Sequence, residues 1–305
     1  MRQLVLIAPE GFEKDLKAEI QTRGQTKILG EWERLFWVET KITDWTWAQN
    51  QWLEPRWIEV ESVKKAAQEL KTLAPCWSVH SVAHHRRAQL ILEQLPKIKT
   101  KPLKFLQKIN FPALGAFALI EPNKMLASPK TLSVFPDGEM QFVEDKTNAP
   151  SRAYLKLWEF FTVTGIKPPK GAHCIDMGSC PGGWTWVLTQ IGCKVVSVDK
   201  APLDPRVEKS PQVTSLKKDA FTVDPQSVGP IEWFFSDIIC YPEKLYNLVE
   251  KWRALPQPPQ FICTIKFQGE TDFKTLERFR QIPGSKIVHL NHNKHEVTWY
   301  CVNQA

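Results

Sequence analysis

Two groups of residues in this 305-residue chain have types and spacing that could do chemistry. The first is the stretch from His173 to Trp186, HCIDMGSCPGGWTW. A short apolar run breaks into Gly178-Ser179-Cys180-Pro181-Gly182-Gly183, the helix-like run WTWVLTQIG follows, and KVVSVDK then reaches Asp199. Strand, glycine-rich turn, helix, strand and acid make the first half of a doubly wound α/β nucleotide site. Glycine lets the backbone turn sharply and lie against a ligand with no Cβ in the way. A carboxylate roughly 20 residues on can hold both hydroxyls of a ribose. The second group is a set of charges at expected strand ends. Asp199 is one, Asp237 follows the apolar run IEWFFS, and Lys266 is the single charge in FICTIKF. Ligands of open α/β sheets bind outside the carboxyl ends of the strands. A lone lysine in an apolar strand is costly to bury without a partner. Glu296 opens a final strand that returns antiparallel, so it comes up at the same edge. Lys156 lies on the helix before the first strand.

The elements that must position these residues fall into an N-terminal α+β region and a C-terminal α/β region. LVLIAP reads as an opening strand. Phe12, Leu16 and Ile20 recur at helical spacing up to Gly24. ILGEWERLFWVET reads as strand, and ITDWTWAQNQWLE as a helix starting at Thr43 or Asp44. These elements define a small α+β unit over residues 1–55. Glu59 to Lys71 is a polar stretch, CWSVHSV a strand, and HHRRAQLILEQLPKIKTKPLKFLQK a basic segment before the strand ALGAFALIEP. That segment sets Arg86, Arg87, Lys97, Lys99, Lys101, Lys104 and Lys108 against one acid, Glu93. Such a run supplies sequence-independent phosphate affinity, or else is a solvated charged face. Residues 122–148, rich in proline, read as a linker in which LSVFPDGEMQFVE offers a short strand pair. From 149 on, APSRAYLKLWEFF is a helix capped by Ser151, and alternating strands and helices end in the hairpin KIVHLNHNKHEVTWYCV.

The net charge of +7 is compatible with nucleic acid. Seven scattered cysteines, with no C-x-x-C, argue against a disulfide framework and against zinc. The histidine trio His289, His292 and His295 straddles a hairpin and reads as turn and surface, so no metal site is expected. Thirteen tryptophans are mostly core, with some available to stack on bases. The N-terminus is not a signal peptide and no run is long enough for a membrane span, so a cytoplasmic protein is expected.

The D-x-G-x-x-P-G-G-W form of the loop resembles motif I of S-adenosylmethionine methyltransferases of the FtsJ type, which make 2'-O-methylated RNA. Lys156 in SRAYLKLWE, Asp237 in FSDI, Lys266 in CTIKF and Glu296 in HEVTWY resemble that family's K-D-K-E tetrad. APSRAYLKLWE, DMGSCPGGWTW, SVDKAPL, HEVTWY and the opening APEGFEKDLKAEI are similar to the bacterial M-type family of large-subunit ribosomal RNA cytidine 2'-O-methyltransferases. The resemblance implies a seven-stranded, mostly parallel Rossmann-like sheet over 149–305, after a ferredoxin-like unit (1–55) and a THUMP-like RNA-binding region (56–121). It implies S-adenosylmethionine as cofactor, held by Ser151, Cys180, Pro181, Gly182, Gly183, Trp184, Asp199, Asp219 and Asp237, and 23S ribosomal RNA or its precursor as partner. Asp199 then suits the ribose hydroxyls, Asp219 the adenine amino group and Ser151 the methionine carboxylate. Lys266 is the candidate general base, its pKa expected to be lowered by burial and by Lys156. Glu296 would orient the lysine pair. A tRNA or mRNA-cap ribose is the alternative substrate, and a non-catalytic RNA-binding protein on the same fold the alternative class. The missing G-x-G-x-x-G argues against a dehydrogenase. SDIICYP lacks the (N/D)-P-P-(Y/F/W) of adenine amino-methylating enzymes. Cys240 and Cys180 read as small packing residues.

Overall fold

The computed structural model describes residues 1–98, 101–109 and 112–302. It divides into two compact units, Met1–Leu103 with Lys108–Gln141, and Lys104–Gln107 with Phe142–Ala305.

The first unit carries two sheets. Strand β1 (Arg2–Ile7), helix α1 (Glu13–Arg23) and strands β2 (Thr26–Trp32), β3 (Leu35–Thr40) and β4 (Asn50–Trp52) form an antiparallel sheet in the order β2-β3-β1-β4. The helix expected from Thr43 or Asp44 does not form. The buried carboxylate of Glu19 on α1 accepts from the backbone N–H of Thr46 at 2.9 Å and of Trp47 at 2.8 Å. That diverts two donors from helical bonding, and Trp45 and Trp47 are both buried beside it. The second sheet takes β5 (Arg56–Glu59), β6 (Cys76–Val79), β7 (Leu114–Glu121) and β8 (Lys124–Ser128) in the order β5-β8-β7-β6. Helices α2 (Val63–Leu73) and α3 (His85–Glu93) cover it. The stretch read as merely polar is thus α2. Ser62 caps it by accepting from Lys65 N–H at 3.2 Å, and Ala66, Ala67 and Leu70 turn inward. Trp77, Ile91 and Phe117 complete that core.

Residues 122–148 are not simply a linker. Lys124–Ser128 pairs with both β5 and β7, because Met125, Leu126 and Ala127 supply buried side chains that both sheet faces need. The unit therefore extends to Gln141. The strand pair expected around LSVFPDGEMQFVE is absent. Pro136–Gly138 forms a 3-10 turn instead, with Phe135 and Met140 buried and the Asp137 carboxylate 2.9 Å from His80 Nδ1.

In the second unit, helix α4 (Tyr154–Thr164) precedes strand β9 (His173–Met177), helix α5 (Gly183–Gln190) and strand β10 (Lys194–Asp199). A short helix α6 (Pro205–Glu208), strands β11 (Val213–Lys217) and β12 (Trp233–Ser236), and helix α7 (Pro242–Arg253) follow. Strand β13 (Gln260–Lys266), helix α8 (Phe273–Arg280) and strands β14 (Ser285–Val288) and β15 (Glu296–Cys301) complete it. The sheet order is β11-β10-β9-β12-β13-β15-β14. All neighbours are parallel except at β15, which runs antiparallel to both β13 and β14. The central strands are apolar along nearly their whole length, as expected where helices cover both faces. Nine tryptophans are buried and the other four, Trp32, Trp37, Trp57 and Trp186, are half-buried. No helix among the described residues is long and apolar enough to cross a membrane.

Candidate active site

The glycine-rich loop joins β9 to α5 at the carboxyl edge of the sheet. Gly178 sits at φ +75, and a Cβ there would come within 2.7 Å of the Ile238 side chain. Gly182 sits at φ +110, and a Cβ there would press on Leu203 and Val207 at 3.3 Å. Only glycine relieves both the conformation and the crowding. Asp199, ending β10, faces this loop. One carboxylate oxygen accepts from Cys180 N–H at 3.0 Å and the other from Ala201 N–H at 2.9 Å, which fixes the acid at the loop's rim with lone pairs left over. The Cys180 thiol donates to the Pro202 carbonyl at 3.2 Å, and burial pushes its pKa up.

Ser151 does not cap α4: the helix starts at Tyr154, with Ala153 at its cap position and no side-chain capping bond. Its Oγ is buried with no hydrogen-bond partner among the described residues, and it lies 2.7 Å from where a Cβ on Gly183 would stand. An orphaned hydroxyl against a glycine loop is costly unless a ligand satisfies it. Trp184 has another task. Its ring is buried and its indole N–H donates to the Ala153 carbonyl at 3.0 Å, bracing α4 rather than lining the cradle. Asp219 lies beyond β11, where the Lys200 ammonium at 2.8 Å and the Phe221 N–H hold its carboxylate below the usual range. Asp176, in the strand below the loop, is fully buried, and burial pushes its pKa up to about 7 against the Thr185 hydroxyl that donates to it at 2.7 Å.

The four charged residues converge. Lys156 Nζ lies 2.8 and 3.0 Å from the two Asp237 oxygens and 2.6 Å from Glu296. Lys266 Nζ lies 2.8 Å from Asp237 and 3.2 Å from the other Glu296 oxygen. Lys266 and Glu296 are direct cross-strand partners in the β13–β15 ladder, which puts both side chains on one face. Asp237 leaves β12 next door, and Lys156 reaches in from α4. The side chains are 7–16% exposed, so two cations and two anions balance in a nearly closed pocket. Lys266 departs from expectation. Burial lowers its pKa, but Asp237 and Glu296 outweigh burial and hold it above the ordinary lysine value. Burial raises the Glu296 pKa, and the two lysines overcome it and hold the carboxyl low.

Sequence reasoning missed the supporting residues. The Thr264 hydroxyl donates to Asp237 at 2.6 Å. It lies two residues before Lys266, and the period of a strand could have found it. Glu159, one turn after Lys156 on α4, is buried. Its carboxylate accepts from Asn291 N–H at 2.8 Å, His292 N–H at 2.9 Å and His292 Nδ1 at 2.6 Å. This grips the turn before β15, where Asn293 Nδ2 reaches Glu296 at 3.4 Å. Helix spacing of three residues from a charged site residue was the available signal. Glu159→Ala orphans three donors, two of them backbone, and is expected to cost about 3 kcal/mol. A denaturant melt with the wild-type midpoint would contradict that assignment.

Burial pushes the Cys240 thiol up to about 11 against the pull of Lys244 and Lys266, as suits a packing residue beside the charged cluster. Of the basic residues expected to bind RNA, Arg86 is exposed on α3 and Arg87 is half-buried, donating to the Val60 carbonyl at 3.2 Å. Lys97 and Lys101 are exposed beyond α3, Lys104 is exposed in the second unit, and Lys99 lies outside the described residues.

A glycine-loop cradle, a rim carboxylate and a buried lysine–carboxylate cluster thus gather at one edge of a doubly wound α/β sheet. Residues 149–279, all within the second unit, match the family model described as FtsJ-like methyltransferase. Similar proteins include "Ribosomal RNA large subunit methyltransferase M" of Azoarcus sp. (strain BH72), 30% identical over 170 residues, covering 50% of this chain and 46% of that protein. The protein of that name from Thauera aminoaromatica is 29% identical over 186 residues, covering 56% of this chain and 50% of that protein. The chain spans about half the length of the curated relatives it matches.

Proposed function

We propose that this protein transfers a methyl group from S-adenosylmethionine to a ribose 2'-hydroxyl of RNA, a cytidine of 23S ribosomal RNA being the favoured target. The convergence of Lys156, Asp237, Lys266 and Glu296 beside the glycine loop carries this reading. The named relatives support the choice of large ribosomal RNA. We read the first unit as a ferredoxin-like sheet followed by a THUMP-like one, its exposed basic residues contributing phosphate affinity.

The residues present fit the cofactor. Asp199 offers free lone pairs to a ribose diol, the Ser151 hydroxyl lacks a partner, and both glycines leave room for close approach. Ser151, Cys180, Pro181, Gly182, Gly183, Asp199 and Asp219 would hold it, and bound there it supplies an electrophilic methyl group. The chain's own task is the proton. A ribose hydroxyl is a weak nucleophile until its O–H bond gives way. Lys266, as the free amine, takes that proton onto Nζ, and Asp237 and Glu296 stabilise the ammonium so formed. Lys156 keeps those two carboxylates aligned. Pre-set geometry of the two reactants supplies much of the rate.

The test is transfer of labelled methyl from S-adenosylmethionine to total RNA of a strain lacking the gene. Label in an alkali-resistant 2'-O-methyl linkage of large ribosomal RNA is expected; label on a base, or none, refutes the proposal. Asp199→Ala should weaken S-adenosylmethionine binding about tenfold to a hundredfold by calorimetry, since a charge-assisted hydrogen bond contributes about 1.5–3 kcal/mol. An unchanged dissociation constant would remove Asp199 from the cofactor site.

A further inference from the structure

Thirteen tryptophans are all wholly or partly buried, and so is every described phenylalanine. Among the described phenylalanines, tyrosines and tryptophans, one ring is exposed: Tyr241, at 63%. It lies four residues after Asp237. The five residues Asp237 to Tyr241 form the turn from β12 into α7, and from Ile238 on their side chains alternate inward and outward. Asp237 joins the charged cluster, and Ile238 packs on the Gly178 loop. Ile239 turns out, 78% exposed, Cys240 is buried near Lys266, and Tyr241 turns out again. The turn therefore lies between the cradle and the lysines and presents two large apolar side chains to solvent. Exposing them stabilises nothing in the fold, and no ring or hydrogen-bond partner engages the Tyr241 side chain among the described residues. Its backbone, in contrast, is fixed. The Tyr241 carbonyl accepts from Lys244 N–H at 3.0 Å and Leu245 N–H at 3.3 Å, and Pro242 follows at the first position of α7.

We infer that Tyr241, with Ile239 beside it, is the surface on which the base of the target nucleotide stacks. The inference rests on the ribose-methylation reading above. The hydroxyl that meets Lys266 is carried by the ribose carbon next to the one bearing the base, so the base must lie against a wall of the charged pocket. Taking a base out of its own stack removes favourable contacts, and a rigid aromatic platform restores them. Stacking tolerates any base, so this surface holds the nucleotide rather than reads its identity.

The experiment measures kcat/KM for methyl transfer to total RNA of a strain lacking the gene, for wild type, Tyr241→Ala, Tyr241→Phe and Ile239→Ala. Val163→Ala, an exposed apolar residue at the far end of α4, is the control. Tyr241→Ala is expected to lower kcat/KM about tenfold to a hundredfold, with S-adenosylmethionine affinity and melting temperature unchanged, and Tyr241→Phe to recover most of the loss. Ile239→Ala loses less than Tyr241→Ala. Wild-type kcat/KM in Tyr241→Ala overturns the inference alone. A loss that Tyr241→Phe shares in full assigns the role to the hydroxyl and also overturns it. No transfer by the wild-type protein overturns the methylation reading and this inference with it.

Discussion

Lys266→Met is expected to slow methyl transfer about a hundredfold to ten-thousandfold, the range for removing a general base, while S-adenosylmethionine still binds. Methionine matches the length of the side chain and removes the proton acceptor. The pH profile of the wild-type protein tests the same assignment from the other side. In the proposed mechanism Lys266 reacts as the free amine, and Asp237 and Glu296 hold its pKa above the ordinary value of 10.5. The rate should therefore climb about tenfold per pH unit through neutral and mildly alkaline pH, without levelling off below about pH 10. A scarce base is compensated by a strong one, since the carboxylates that make the amine rare also stabilise the ammonium it becomes. A plateau near pH 7 would falsify the role of Lys266 as base.

The second large effect belongs to Asp237→Ala. Asp237 takes bonds from both lysines and from Thr264, and its removal leaves two ammonium groups sharing Glu296 in a pocket only 7–16% exposed. Removing one partner of a buried ion pair costs about 3–5 kcal/mol. At about 2–4 °C per kcal/mol for a unit of this size, the melting midpoint should fall by about 10 °C at pH 7. Linkage sets the window for that measurement. The Glu296 pKa is lowered on folding, so its contribution is present above about pH 4.3 and lost as pH falls through the folded value. The Lys266 pKa is raised, so its contribution is present below about pH 10.4 and lost as pH rises through the folded value. Any methyl transfer that survives in Asp237→Ala should have its pH profile displaced downward, because one of the two charges holding the Lys266 proton is gone. An unchanged midpoint and an unchanged profile would remove Asp237 from the cluster's centre.

Several features were legible in the chain because they depend on local chemistry. The strand, glycine turn, helix and second strand around His173 to Asp199 follow from apolar runs and glycine placement, and they lie where expected. Lys266 announced itself as the one charge in an apolar strand. The first unit was less legible. A buried carboxylate, Glu19, pulled Thr46 and Trp47 out of a helix that their spacing favoured, and a proline-rich stretch held an interior strand, β8. Neither long-range partner leaves a periodic mark.

What the sequence by itself determined is the set of groups at the sheet's carboxyl edge: a turn that only glycine can make, an acid one strand over, and four charges. What only the tertiary structure decided is their pairing. Inserting β15 antiparallel between β13 and β14 sets Glu296 directly across from Lys266, and a register shift of one residue would turn it to the other face. The same pairing decided the direction of the Lys266 pKa. Burial predicts a fall, and two carboxylates from separate strands, meeting only in the folded unit, make it rise.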